Sequence, residues 1–444
     1  MPTDIVNGAM GGRLRKKSIS ERERGGFVLR GLLAAAVLLL AIGSANAQTR
    51  SLVETDPPAP TGEKTEPAQP PALVEPDPPV PTSEKAESAQ PPAPDTRPDG
   101  FTVGGFVFKP GGRIKLDIIR DFDPIGSEDT FDPRTIPLDQ SEGGNSNLIA
   151  KESRLFLDIR GPVEGKELQM YLETDFYGSS SVLRLRHAYG RYGGLLAGQT
   201  WSTFVDEANF PNTIDFENPI AFPSIRQAQV RWTQKMGAHV SWAAAIEDNK
   251  SAILPPVSIP GKAEFPLPDL VTHVRYVGSG GHAQVSGFLG RARFRPAGGE
   301  PDDETLWGVL LSGRIKTFGK DYAYAQFTFG EGIGRYRGAT TAVPDENNQL
   351  HAPGLHAFTG GYDHYWNPRL SSNVVWAQAT SPDKPFYPPD FNHQLDYTAI
   401  NLLYWFIENR AWAGVEYLHG GREVFSGQTS SADRLQFAVR FNLP

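Results

Sequence analysis

From Phe101 onward the polar and apolar residues of this 444-residue chain alternate with a period of two, and the segments that alternate are joined by connections that are long and short in turn. In Arg154–Gly161, Leu155, Leu157 and Ile159 fall on one side, and Arg154, Phe156, Asp158 and Arg160 on the other. Glu167–Gly178 and Arg434–Asn442 repeat the pattern, each with one apolar and one charged face. Such alternation describes β-strands, since successive side chains of a strand point to opposite faces. The pattern predicts sixteen strands, near 105–120, 150–161, 167–178, 182–192, 194–200, 224–234, 237–247, 269–277, 282–294, 304–317, 321–330, 355–366, 369–380, 394–407, 410–419 and 432–442.

The connections narrow the architecture further. The long, polar set is 121–149, 201–223, 248–268, 295–303, 331–354, 381–393 and 420–431, with one tight exception at Gly178–Ser181. The short set is Pro162–Lys166, Gly193, Lys235–Met236, Gly278–Gly281, Phe318–Lys320, Asn367–Pro368 and Glu408–Asn409. A sandwich has no reason to alternate its loop lengths, whereas a closed transmembrane barrel does. Closure also removes the unpaired strand edges that lipid cannot satisfy. The expected fold is therefore all-β: a 16-stranded antiparallel transmembrane β-barrel with short periplasmic turns and long extracellular loops. Tyr171, Tyr177, Tyr189, Tyr192, Trp232, Trp242, Tyr276, Trp307, Trp376, Tyr404, Trp405 and Tyr417 lie near strand ends and are expected to form interfacial girdles.

The barrel is expected to span 101–444. Before it, basic residues from Arg13 to Arg30, the apolar run Gly31–Ile42 and the small residues Ala45 and Ala47 read as a signal peptide over 1–47. Twelve apolar residues are short of the ~20 that span a bilayer as a helix. Residues 48–100 contain 14 prolines, and Leu52–Ala72 is repeated as Leu73–Ala93 with 16 of 21 positions identical. Neither copy has an apolar face to bury, so this segment is expected to be a disordered periplasmic linker. The predicted location is the bacterial outer membrane.

Composition excludes several functions. The chain has no cysteine, which removes disulfide frameworks, zinc knuckles and thiol catalysis. A net charge of −8, or −12 once residues 1–47 are gone, argues against nucleic acid as a partner. The nine histidines come with no G-x-S-x-G elbow and no H-E-x-x-H spacing, so no catalytic residue, metal site or cofactor is assigned.

Sixteen strands enclose more space than side chains fill, so a water-filled lumen is expected. Its polar parity carries Arg154, Arg160, Arg184, Arg186, Arg231, Arg275, Arg434 and Arg440 as candidate pore-lining residues, and the barrel region holds 22 Arg against 10 Lys. A planar guanidinium binds carboxylate bidentately and stays charged, which points to small anions. Some of these arginines are expected to pair with Asp158, Glu173, Asp175 or Glu416. The third long connection, Trp201–Pro223, is too apolar for a solvated loop. Folded into the lumen, it would narrow the pore, with Trp201, Asp206, Glu207, Asp215, Phe216 and Glu217 as constriction residues facing the arginine wall.

The stretch LRLRHAYGRYGGLLAGQTWSTFVDEANFPNTIDFENP (Leu183–Pro219), followed by RQAQVRW (Arg226–Trp232), resembles the signature region of the DcaP-like trimeric outer-membrane porins, as does GGYDHYWNPRLSSNVVWAQ (Gly360–Gln378). The resemblance covers Phe101–Pro444. It implies a homotrimer of 16-stranded barrels, an inward-folded third loop, and uptake of small anions, notably dicarboxylates. Arg184, Arg186, Arg231 and the loop from Trp201 to Pro219 are the matching positions. Outer-membrane lipid, lipopolysaccharide and the outer-membrane assembly machinery are the further partners expected of such a barrel. A general non-selective porin and, further off, an outer-membrane barrel hydrolase are the competing readings.

Overall fold

The alternating segments form strands, and each strand pairs antiparallel with its neighbours. The structure, a computed structural model, describes residues 100–139, 143–178, 181–249, 253, 260–337, 340–382, 384 and 387–443. The expected signal peptide and all but the last residue of the expected linker, residues 1–99, lie outside the described residues. In chain order the barrel strands are β1 (Phe106–Asp121), β2 (Ser146–Ile149 and Arg154–Val163), β3 (Lys166–Asp175), β4 (Arg184–Tyr192), β5 (Leu195–Trp201), β6 (Arg226–Lys235), β7 (Val240–Glu247) and β8 (Asp269–Gly278). They continue as β9 (Gly281–Pro296), β10 (Asp302–Lys316), β11 (Tyr322–Glu331), β12 (Gly354–Asn367), β13 (Leu370–Thr380), β14 (Asn392–Ile407), β15 (Ala411–Val424) and β16 (Thr429–Asn442). The last strand pairs with the first, from Arg113 opposite Asn442 to Asp121 opposite Arg434, so the sheet closes on itself.

The two faces of each strand behave as the alternation requires. Leu155, Met170, Leu172, Val230, Val274, Val285, Leu289, Leu311 and Phe437 point outward and are exposed, an apolar surface suited to lipid. Trp232, Tyr276, Trp307, Trp376, Tyr404 and Tyr417 join that outer face. Tyr171, Tyr177, Tyr189 and Trp405 do not, contrary to the girdle expected. Tyr171 points inward and donates a hydrogen bond to Glu173 at 2.6 Å, with the tilted ring of Tyr189 5.5 Å away. Tyr177 is stacked at 3.9 Å on Phe216 of the third connection, and Trp405 packs against the cluster of Ile214 and Trp412.

Turns at one end are tight. Between β2 and β3, Glu164 and Gly165 both have positive φ, 47° and 77°, the combination that suits a two-residue hairpin to the twist of its strands. At the other end, two connections expected to be long are short. The ladder of β15 and β16 continues to Glu423 opposite Thr429, and β9 and β10 pair as far as Phe294 opposite Asp302. The polar residues there stay in strand because the ladder satisfies their backbone groups, whatever the side chains meet. β2 also departs from the continuous strand expected over 150–161. Ala150–Ser153 leaves the ladder, and this excursion brings Glu152 inside, where it meets Lys115 and, at 3.0 Å, Arg113.

The apolar core sits inside the cylinder, where connections fold onto the wall. Phe131 and Ile136 of the first connection pack with Tyr397, Val375 and Leu418. Ile333 and Tyr336, from the 3-10 turn Ile333–Arg337, pack with Phe204, Phe288 and Leu310.

Candidate functional site

The chain leaves β5 at Trp201 and returns at Arg226, and nearly everything between is buried inside the barrel. Phe204, Phe210, Ile214, Phe216 and Phe222 are almost wholly covered, which explains why so apolar a segment turns inward. Its backbone is held by wall groups in succession. Glu247 of β7 accepts from the Thr203 amide at 2.6 Å. Asn209 donates to the Ala325 carbonyl of β11 at 2.9 Å, and Asn401 of β14 donates to the Asn212 carbonyl at 2.6 Å. Glu416 of β15 accepts from the amides of Ile214 and Asp215, both at 2.7 Å, and Lys115 of β1 donates to the Ile214 carbonyl at 2.7 Å. The segment thus takes its backbone anchors from the wall between β7 and β1, while Phe216 reaches Tyr177 and Arg184 at the loop end of β3 and β4 and Thr203 bonds Gln229 of β6.

Of its four carboxylates, two serve as anchors. Asp206 is fully buried between Arg275 (3.1 Å), His282 (2.8 Å) and Ser312 (2.6 Å). Burial alone would push its carboxyl up, but the His282 hydrogen bond and the Arg275 charge outweigh this and hold it below its ordinary value. Asp215 is also fully buried. It accepts from the Phe131 and Glu217 amides and lies 3.5 Å from Arg434. Burial pushes its carboxyl up to about 6 against the pull of Arg434, and the Glu416 charge adds to the rise. Glu217 is largely covered and stands 4.0 Å from Arg134. Glu207 is different: it opens the 3-10 turn Glu207–Asn209 and is exposed to the lumen.

The raised carboxyl of Asp215 has a sign that can be tested. Its folded form prefers the proton, so its stabilising contribution is fully present below the ordinary value of 3.8 and is lost as pH rises through about 6. Asp215→Asn cannot ionise. It is expected to match the parent near pH 4 and to exceed it near pH 8 by on the order of 1–3 kcal/mol. Thermal unfolding at the two pH values checks this, and an Asn variant that is weaker at both pH values contradicts it.

The eight arginines expected in the pore all stand on the inward parity, in different circumstances. Arg186 is buried between Glu173 and Asp175, and Arg434 is wholly buried between Asp121 and Asp215. Arg184 pairs with Asp175 at 2.6 Å and covers the rings of Tyr177 and Phe216. Arg154 is buried 3.6 Å from Glu173, Arg275 holds Asp206, and Arg440 lies over Trp412 at 5.2 Å. Arg160 pairs with Asp158 at 2.8 Å but remains half exposed. Trp201 is buried against Arg226 and Phe210. Glu416, expected to neutralise a guanidinium, instead caps backbone amides.

The register then shows a residue the alternation concealed. Across β2 to β6, Arg160 stands opposite Gln169, Gln169 opposite Arg191, Arg191 opposite Leu196, and Leu196 opposite Arg231. Arg160, Arg191 and Arg231 therefore share one row, on alternate strands roughly 10 Å apart. Arg191 faces inward because Arg186 is an extra residue: Thr174 pairs with Leu185 and Glu173 with His187, a bulge that reverses the phase beyond it. The signal was present in the sequence, since the polar positions 184 and 186 are followed by 187, 189 and 191. Arg231 lies within electrostatic range of Arg191 and of Glu207, and Tyr189 beside them senses Glu207, Arg160 and Arg191.

A family model described as DcaP outer membrane protein matches residues 104–443, the whole of this barrel. The chain belongs to the DcaP outer membrane protein family. DcaP proteins are outer-membrane barrels, and this one is an outer-membrane channel of the porin type. Among solved structures it is similar to the outer membrane channel DcaP of Acinetobacter baumannii, with 23% identity over 77% of this chain and 99% of that one and a TM-score of 0.70. It is also similar to an anion-selective porin from Comamonas acidovorans (9% identity, 76% and 99% covered, TM-score 0.53). OmpT of Vibrio cholerae is a third likeness (11% identity, 78% and 99% covered, TM-score 0.51). These identities establish a shared fold. No curated protein matches the sequence.

Proposed function

We propose that this DcaP-family barrel is a passive channel favouring small anions, with carboxylated solutes of dicarboxylate type as its cargo. The observation that carries the reading is the row Arg160, Arg191 and Arg231, with the lone exposed carboxylate of the third connection, Glu207, within electrostatic range of Arg231. Asp206 and Asp215 are tied up in anchors and Glu217 is covered, so the connection brings little negative charge to the passage. Guanidiniums about two strand spacings apart can hand a carboxylate from one to the next, while a permeating cation meets like charge. Selectivity is set at such a narrowing, so the net acidic charge of the barrel as a whole does not decide it. No catalytic residue, metal or cofactor enters this reading.

The proposal extends to assembly and address. The chain is read as a homotrimer in contact with outer-membrane lipid and lipopolysaccharide, inserted by the assembly machinery, with residues 1–47 removed after export and residues 48–100 left in the periplasm.

Reversal potential in planar bilayers under a salt gradient tests the selectivity. The parent channel is expected to favour chloride over potassium. The double variant Arg191→Glu, Arg231→Glu, which places four units of charge difference on one row, is expected to reverse that preference. A cation-favouring parent, or a double variant with an unchanged potential, would overturn the reading and leave a general porin.

A further inference from the structure

A second site lies at the loop end of the barrel, away from the arginine row. A cavity of about 90 Å³ opens between the first and third connections, the turn Ile333–Arg337 and the ends of β13 and β14. Arg134 and Arg337 are the guanidiniums on its polar side, which Thr340, Ser381, Asn392 and His393 complete, and Ile220, Leu355, Phe391 and Leu395 contribute apolar lining.

The two arginines are not equivalent. Arg134 is held in a fork by Asp132, with Nε at 2.9 Å and a terminal nitrogen at 2.6 Å, and it donates to the Arg337 carbonyl at 2.7 Å. This clamps the backbone that presents Arg337. Arg337 is only 7% exposed, and among the described residues its buried Nε has no hydrogen-bond partner and no carboxylate lies within ion-pair distance of its guanidinium. The charged groups acting on it at longer range are Arg134, Asp132 and Glu217, one like charge and two opposite. Burial, with repulsion from Arg134 added, pushes Arg337 down to about 9, the mark of a cation short of a close counter-charge. A buried charge without a partner is costly, and a bound carboxylate relieves that cost through short, charge-assisted hydrogen bonds.

We propose that this cavity binds an amphipathic monocarboxylate, its carboxylate on Arg337 and its short apolar tail against Ile220, Leu355 and Leu395. The tail requirement follows from the lining: a fully hydrated anion would leave apolar walls wet, whereas an acyl chain covers them. The site is independent of the row that the channel reading invokes, so the two stand or fall separately.

Calorimetric titration of butyrate into the detergent-solubilised full barrel, with acetate and chloride as comparators, tests the site. Butyrate is expected to bind more tightly than acetate. Arg337→Gln is expected to weaken butyrate binding on the order of tenfold, while Arg337→Lys retains part of it. The chloride-to-potassium reversal potential is expected to stay unchanged in both variants. Equal binding of acetate and butyrate, no binding of butyrate to the parent, or undiminished binding in Arg337→Gln would each overturn the proposal. A parent channel that favours potassium yet binds butyrate would overturn only the selectivity reading.

Discussion

Glu416→Ala is expected to free the middle of the third connection and widen the channel. The carboxylate of Glu416 is wholly buried and holds three donors: the amides of Ile214 and Asp215, both at 2.7 Å, and the Asn401 side chain at 2.8 Å. Alanine leaves two backbone N–H groups facing a void with no acceptor. Each such group costs about 1–3 kcal/mol, so the attachment is expected to lose about 3–5 kcal/mol in all. Relief of repulsion between Glu416 and Asp215 recovers part of this. Ile214 and Trp412, packed together beneath, would lose their contact as the segment lifts. Single-channel conductance is expected to rise and to fluctuate, and protease is expected to cut near Phe216, which is protected in the parent. Glu416→Gln keeps one acceptor oxygen and is expected to fall between the two. Unchanged conductance in the alanine variant would mean that the remaining anchors suffice.

Arg434→Met is expected to be the most damaging single change to the barrel. Arg434 is completely buried, bonded to Asp121 at 2.6 and 3.2 Å and to the Ser127 carbonyl at 2.9 Å, with Asp215 3.5 Å away and the Phe131 ring beneath it. It ties three things at once: the closing seam between β16 and β1, the first connection and the third. Methionine fills much of the same volume but strands two buried carboxylates. Breaking a buried pair from one side costs about 3–5 kcal/mol, because the partner's charge is left uncompensated. A lowered melting temperature in detergent checks this. Adding Asp121→Asn and Asp215→Asn to Arg434→Met is expected to restore most of the loss, since neutral amides need no counter-charge. A triple variant as weak as the single one would place the damage in packing instead.

Much of this molecule can be read directly from its residues. Strict alternation located all sixteen strands, because a barrel wall between lipid and water imposes opposite chemistry on successive side chains. The inward turn of Trp201–Pro223 was legible for a similar reason: six phenylalanine and isoleucine side chains in one connection need cover. What alternation does not show is a bulge, and one extra residue at Arg186 hid Arg191 from the pore. Nor does it show which charges are consumed by one another. Arg434 and Asp121 are 313 positions apart, and Glu416 and Asp215 are 201 apart. Such pairings depend on where closure brings the ends of the sheet, which no local pattern encodes. Arg160 and Arg231 were found because they obey the uninterrupted phase of their strands.

The spacing of the anchors along the chain bears on when the interior is finished. Asp215 and its neighbours take their holds from Lys115, Asn401, Glu416 and Arg434, so the groups that seat one short segment come from the first strand and the last three. A polypeptide halted before residue 416 has strands to pair but lacks the carboxylate that holds the Ile214 and Asp215 amides. The middle of the third connection is therefore expected to be among the last parts of the interior to set, held only at its edges until the final staves arrive.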